Sequence, residues 1–386
     1  MKQQRRKRTG WSGPVVLSCC LSVMLVGCAD NQILDETGFS TIAGYDKIKN
    51  GMLRGTVLLP VINPEAQEKI QVVSGVSRTS KGIRDQINLQ MDKRVLSGQL
   101  RVALYQDKLA REGIINIVDT LYRDPSIATR LYLGVYEGET YQMLTYPFKE
   151  EGNIGMYLYR LLEQNVREEK IPSPTIHEFV RAYFSMGSDP YLPYIRQKGD
   201  ELYVDGLALF SRDRFVGRIS NKEAFILKLV RDQFEVGSYE ATVPQEYLGS
   251  PAQKKRGKAE KNVDVVFDTL QSKADIKLVR HDPPKFQIGI KLSGRVLEIS
   301  EEVDLSDMKV LAGIEKGVAE ELKLHLERLM QKLQKMRVDP IGFGDIYRSQ
   351  RRGIRKMTYE DWMKLYQKAE FQFQTKARVI RSGVID

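Results

Sequence analysis

DLSDMKVLAGIEKGVAEELKLHLERLMQKLQKMRVDPIGFG, Asp304–Gly344, decides how the rest of the chain is read. Leu311, Ile314, Val318, Leu322, Leu326, Leu329, Leu333 and Met336 recur at steps of three and four, which predicts one long amphipathic helix over Asp304–Arg337. At 1.5 Å per residue such a helix reaches about 50 Å, long enough to be a major packing element. Its Gly313 and Gly317 form a GxxxG pair, read as a place where a sheet comes close. Asp339-Pro340 stops it, because proline lacks an N–H and pushes the residue before it out of the helical region. Gly342-Phe343-Gly344 follows a helix end and not a strand, so its glycines read as turn residues and not as a dinucleotide loop. Beyond it, Trp362 is expected to anchor a core, and Glu370–Ser382 alternates like a closing strand.

Upstream, strands and helices mix. Asn50-Gly51, between two apolar runs of Gly38–Ile62, marks a hairpin. Val72–Ser77, Gln99–Tyr105, Thr129–Tyr136, Leu202–Phe210 and Val236–Val243 read as strands. Thr79–Arg94, Asp107–Tyr122, Asn153–Glu169 and Ser220–Asp232 read as helices, the last opened by a Ser220–Glu223 capping box. Ile171–Pro193, rich in proline, reads as loop with a short helix near His177–Phe184. Strands near Val263–Leu270 and over Phe286–Ile299 lead into the long helix. The fold class is α+β and multi-domain, each domain a mainly antiparallel or mixed sheet packed with helices. SPAQKKRGKAEK, Ser250–Lys261, has no large apolar residue and reads as a basic linker. The expected organisation is a signal peptide over 1–27, a lipidated tether over 28–37, an N-terminal α+β domain over 38–200, a middle α+β domain over 201–249, the linker over 250–261, and a C-terminal α+β domain over 262–386.

Hydrophobic residues make up 42% and charged residues 28% of the chain, a balance that allows a buried core and argues against global disorder. All three cysteines, Cys19, Cys20 and Cys28, lie near the start, so the remainder holds no disulfide, thiolate metal site or cysteine nucleophile. Met1–Arg8 is basic and Val15–Val26 carries no charge, the n-region and h-region of a signal peptide. Leu25-Val26-Gly27-Cys28 then reads as a lipobox: an apolar pair, a small residue that lets the backbone enter the peptidase, and a thiol that becomes a diacylglyceryl thioether. Cleavage before Cys28 removes five Lys and Arg and lowers the formal charge from +10 to +5. Much of the basicity therefore belongs to export and not to a nucleic-acid site. Two acyl chains anchor stably where one does not.

No GxSxG, HExxH, Walker A or CxxC motif follows the leader. His177, His281 and His325 lack metal-ligand spacing, and His325 beside Glu327 reads as a satisfied helix histidine. The acid pairs Glu150-Glu151, Glu168-Glu169, Glu301-Glu302 and Glu320-Glu321 read as solvated surface. The chain is expected to have no catalytic, metal or cofactor residues, and Cys28 is expected to be its lipidation site.

Several stretches together carry a resemblance. They are the lipobox Leu25–Cys28; GQLRVALYQDKLAREGI with Arg123-Asp124-Pro125 and LYLGVYEG within Gly98–Gly138; DGLALFSRDRFVGRIS at Asp205–Ser220; and the long helix ending in Asp339-Pro340-Ile341-Gly342-Phe343-Gly344, followed by Trp362. In order and spacing the chain resembles the Ger(x)C family, the lipoprotein C subunits of nutrient germinant receptors in spore-forming bacteria. The resemblance implies several α+β domains and no catalytic residues, with Arg123, Asp124, Pro125, Asp339, Pro340, Gly342, Gly344 and Trp362 as family-typical structural positions. It also implies a place on the outer face of the spore's inner membrane, held by a lipid anchor. The partners it implies are the integral-membrane A and B subunits, the nutrient being bound by another subunit, with no nucleic acid involved. The alternative is a solute-binding lipoprotein that captures the germinant directly, which would need a concave site with convergent polar groups.

Overall fold

A computed structural model describes residues 37–61, 70–148, 153–232, 237–248, 262–301, 303–350 and 357–380. Leu25–Cys28, the expected lipobox, and the basic stretch 250–261 lie outside them. Gly38–Asp386 forms one compact unit.

Its centre is an eight-stranded sheet in the order β10-β9-β8-β7-β6-β2-β3-β4. The strands are β2 (Ile42–Lys47), β3 (Leu53–Pro60), β4 (Ile70–Ser77), β6 (Val102–Gln106), β7 (Tyr132–Tyr136), β8 (Tyr191–Lys198), β9 (Glu201–Ser211) and β10 (Arg214–Ile219). β2, β6, β7 and β8 run parallel, and antiparallel hairpins extend the sheet at both edges. β6 is buried along its whole length, as a central parallel strand with both faces covered must be. β1 (Thr37–Phe39) and β5 (Arg94–Leu96) form a separate small ladder. A four-stranded sheet, β11 (Tyr239–Pro244), β12 (Asn262–His281), β13 (Pro284–Ile299) and β14 (Glu370–Val379), follows in that order, with β14 parallel to β13.

Helices α1 (Ser80–Asn88), α2 (Asp107–Glu112), α3 (Ile115–Tyr122) and α6 (Ile176–Phe184) bury Ile83, Leu109, Val118 and Phe179 in a core on one face of the large sheet. On its other face a second core runs without a break from Ile42 and Leu104 through Leu158 of α5 (Ile154–Arg167), which follows the short α4 (Thr140–Leu144). It continues through α7 (Asn221–Arg231) to Phe267, Phe286 and the long helix α8 (Met308–Met336). Ala224 to Val230 of α7 are all buried, the mark of a helix enclosed on every side. It touches β9, β12, β13 and α8. The chain closes with α9 (Phe343–Ser349), α10 (Tyr359–Tyr366) and β14.

The α+β class and the long C-terminal helix match the sequence reading; α8 spans 29 residues. Its stripe of Leu311, Ile314, Val318, Leu322, Leu326, Leu329 and Leu333 is buried. Gly313 and Gly317 face β11 and the turn after it, where a Cβ would collide with Tyr247 O or Val243. Asn50 and Gly51 take positive φ in the β2–β3 turn, and Ser220–Glu223 is a capping box.

Other expectations give way. The expected helix over Asp107–Tyr122 breaks at Gly113 (φ 117°), where the turn's Asp213 accepts from Ile115 N at 3.2 Å and caps α3. Residues 191–198 form a strand inside the sheet, although Pro193 reads as loop; the proline sits at a register shift, where its missing N–H breaks no ladder. The expected boundary at residue 200 falls in the β8–β9 hairpin, so pairing crosses it. The expected middle domain over 201–249 has no sheet of its own. Its β9 and β10 complete the large sheet, its β11 edges the small one, and α7 fills the core between. Both cores lie within Gly38–Asp386, so a chain begun at Ala29 keeps every described element and buried side chain.

Candidate functional site

Asp339 follows the end of α8. Arg337 turns left-handed there (φ 58°, ψ 50°), and Val338 N closes on Leu333 O at 3.2 Å. This throws Asp339 inward, fully buried. Its Oδ1 accepts from Gly342 N at 2.8 Å; its Oδ2 accepts from Gly344 N and from Trp362 Nε1, each at 3.0 Å. Gly342 has φ 91°, which L side chains rarely adopt. Gly344 lies so near Trp362 and Gly187 that a Cβ would stand 2.5 Å from the Gly187 Cα. Trp362 is fully buried among Phe286, Tyr347 and Tyr366. Asp339, Pro340, Gly342, Gly344 and Trp362 thus meet in one place.

A second aspartate meets them. Asp189, in the loop between α6 and β8, gives its N–H to Asp339 O at 2.9 Å and takes Asp339 N on Oδ2 at 2.8 Å. Its Oδ1 accepts from Arg212 N at 3.1 Å and from Tyr359 Oη at 2.7 Å. Tyr359 Oη is 3.2 Å from Ser211 Oγ. The Arg212 guanidinium stands 4.1 Å over the Tyr359 ring and donates to Tyr183 O and Ser185 O. Ser185 Oγ donates to Asp345 at 2.8–2.9 Å. Loop 185–190 and the β9–β10 turn therefore clasp the segment from α8 to α10.

Burial pushes the Asp189 carboxyl up to about 6, against the opposing pull of the Asp339 and Arg212 amides and Tyr359. Burial likewise pushes Asp339 up to about 7, against the amides of Gly344, Gly342 and Phe343, with the Asp189 charge adding to the rise. Perturbed carboxyls often mark catalysis. Here both are shut from solvent, and every oxygen is occupied by an N–H or O–H of the protein. The arrangement is a polar joint holding sequence-distant segments together.

Arg123, Asp124 and Pro125 form a different place, the surface corner after α3. Asp124 accepts from Ser126 N at 3.0 Å, Ser126 Oγ at 2.6 Å and Arg84 at 2.7 Å, while the exposed Arg123 pairs with Asp119 at 2.7 Å. Sequence reading missed Asp189, Ser211, Arg212 and Tyr359. The available signal was Asp189-Pro190, another Asp-Pro pair, set in the apolar run DPYLPYI.

A cleft of about 550 Å³ opens where α5, α7 and β11 meet, lined in part by Lys170, Lys222, Phe225 and Tyr239. Much of its polar wall is already paired. Lys222 reaches Glu321 at 2.9 Å, Thr242 donates to Asp264 at 2.8 Å, and Asn221 bridges Gly206 N and Val204 O. Glu321 also meets His325 Nε2 at 3.1 Å, a satisfied helix histidine. Among the described residues no three His, Cys, Asp or Glu gather as a metal site, and no helix is long and apolar enough to cross a membrane.

Fold and joint together define an α+β protein of two sheets sharing one core and pinned by buried aspartates. Residues 30–197 match the family described as spore germination protein N-terminal domain, and residues 205–383 match spore germination B3/GerAC like, C-terminal. With both parts matched, the chain belongs to the GerAC, or Ger(x)C, family of spore germination proteins. Spore germination protein GerQC of Bacillus cereus is 26% identical, over 96% of this chain and 99% of that one. Spore germination protein KC of Bacillus subtilis is 22% identical, over 91% and 92%. The crystal structure of the GerBC protein shares the fold at a TM-score of 0.52 and 16% identity, covering 88% of this chain and 97% of that one.

Proposed function

We propose that this chain is the lipid-anchored, non-catalytic C subunit of a nutrient germinant receptor. Cys28 carries the lipid and holds the protein on the outer face of the spore's inner membrane, where the folded part docks against the two integral-membrane subunits and supports the germination signal. One observation carries the reading: a lipobox, Leu25-Val26-Gly27-Cys28, stands directly before a chain whose two parts match spore germination domains. Tethering replaces a bulk search by a local one, so modest interfaces suffice. The buried joint supports a structural role, since its strongly perturbed acids are shut from solvent and hold the fold. The rival solute-binding reading is less favoured, because the cleft by α7 has much of its polar wall paired internally.

The test is the Cys28→Ala variant in spores. The protein should leave the membrane fraction, and nutrient-triggered germination through its receptor should fall. Full membrane retention with an unchanged germination rate would contradict the reading.

A further inference from the structure

The four-stranded sheet has one covered face and one open face. Ile288, Ile290 and Phe373 are buried toward the helices, and the residues alternating with them point away. On the open face the register sets Lys273 of β12 opposite Lys291 of β13, and Lys291 opposite Lys376 of β14. Three ammonium groups share one rung of the ladder. Like charges directly opposite on neighbouring strands repel. The next rung sets Arg378 beside Ser293 and Gln271. Among the described residues none of these four cations has an acidic partner, and Asp275, one rung away, lies 3.0 Å from Lys277 instead.

An unrelieved rung of lysines weakens the sheet that bears it, and its complement is an anionic surface. The shape of the face selects which. It is the pleated face of a sheet, and its described outward positions carry no aromatic ring on which a base could stack. Ile380, 43% exposed, stands just past the end of β14, two residues from Arg378. Clustered cations on a sheet face, with an exposed aliphatic at their edge, suit the headgroup layer of an anionic bilayer, where each Lys or Arg adds roughly fivefold in affinity.

We propose that this open face rests on an anionic lipid surface, with Lys273, Lys291, Lys376 and Arg378 against lipid phosphates. It extends the anchored reading by a second, electrostatic membrane contact, which the acyl-free chain tests separately from Cys28. A chain begun at Ala29 is cosedimented with vesicles of phosphatidylglycerol and phosphatidylcholine, and with phosphatidylcholine alone. Binding should occur with the anionic vesicles only and weaken as salt rises. Lys273→Gln, Lys291→Gln and Lys376→Gln together should weaken it roughly 100-fold, and Lys291→Gln alone roughly fivefold. The charge-matched set Lys309→Gln, Arg328→Gln and Lys335→Gln, exposed on α8, should bind as the parent does. Equal losses in both sets, or no binding to anionic vesicles at low salt, overturns the proposal. Capture of polyglutamate in place of vesicles, with the same lysine dependence, overturns it too and makes the face a protein-docking surface. Relief of the rung should raise the thermal midpoint of the triple variant by roughly a few degrees; a fall contradicts the repulsion from which the complement was argued.

Discussion

Asp124-Pro125 closes α3 at the surface, and Asp339-Pro340 closes α8 in the core. The two dipeptides share their local chemistry: proline ends the helix and the aspartate gathers the N–H groups of the turn that follows. Asp124 gathers Ser126 and an ion pair to Arg84, whose side chain is 37% exposed. Asp339 gathers Gly342, Gly344 and Trp362, and meets Asp189 from 150 residues away. The difference teaches that a turn motif carries little energy of its own. What surrounds the carboxylate decides whether it trims one loop or joins two sheets.

The largest expected effect breaks the comparison most directly. Asp339→Ala leaves Gly342 N, Gly344 N and the indole N–H buried without an acceptor, and should destabilise by about 4 kcal/mol. Asp124→Ala should cost about 1 kcal/mol, since water replaces most of what it accepts. Urea midpoints measure both; equal losses would mean the buried joint adds nothing special.

Gly344→Ala follows. Its Cβ would stand 2.5 Å from backbone at Gly187 and 2.6 Å from the Trp362 indole nitrogen, so about 3 kcal/mol should be lost. Gly289→Ala on the open face meets nothing nearer than 3.9 Å and should gain about 0.5 kcal/mol from a stiffer unfolded chain. Thermal melts of the two should shift in opposite directions.

The third effect lies in pH. Asp189 and Asp339 are raised in the fold, to about 6 and about 7, so the fold holds their protons more tightly than the unfolded chain does. Their favourable contribution is full below the unfolded carboxyl value and is lost as pH rises through 6 and 7. For Asp124, burial raises the carboxyl, but Ser126 and Arg84 outweigh it and lower it. Its contribution is present above the unfolded value and is lost as pH falls through its folded value. Melts from pH 3 to 8 should show the stability gap between the parent and Asp339→Asn narrowing as pH rises. The gap to Asp124→Asn should narrow on acidification. Identical pH profiles for the two gaps would remove the distinction.

The sequence made the long helix plain because eight apolar residues at helical steps leave one solution, and Asp339-Pro340 fixes its end. The capping box at Ser220 and the turn at Asn50-Gly51 were legible for the same reason, being local rules. Strand β8 was hidden because Pro190 and Pro193 speak locally for loop, while the pairing that holds it comes from β7 and β9. The segment 201–249 does not stand apart as a middle domain, because burial of α7 on every side is set by both sheets and not by its own pattern. Half of the joint, Asp339 to Gly344 with Trp362, sits in one stretch and could be singled out. Asp189 and Ser211-Arg212 come from two other segments that no spacing rule connects, and Tyr359, one turn before Trp362 on α10, carries no local mark of its role.

Trp362 is the only tryptophan in a chain begun at Ala29, which makes it a built-in reporter of the joint. Urea unfolding of that chain, followed by Trp362 fluorescence and by far-ultraviolet circular dichroism, tests whether the two sheets act as one body. Coincident transitions in the parent, separating in Asp339→Ala, are the result expected of a joint that couples them. Separate transitions in the parent, or coincident ones in the variant, would contradict it.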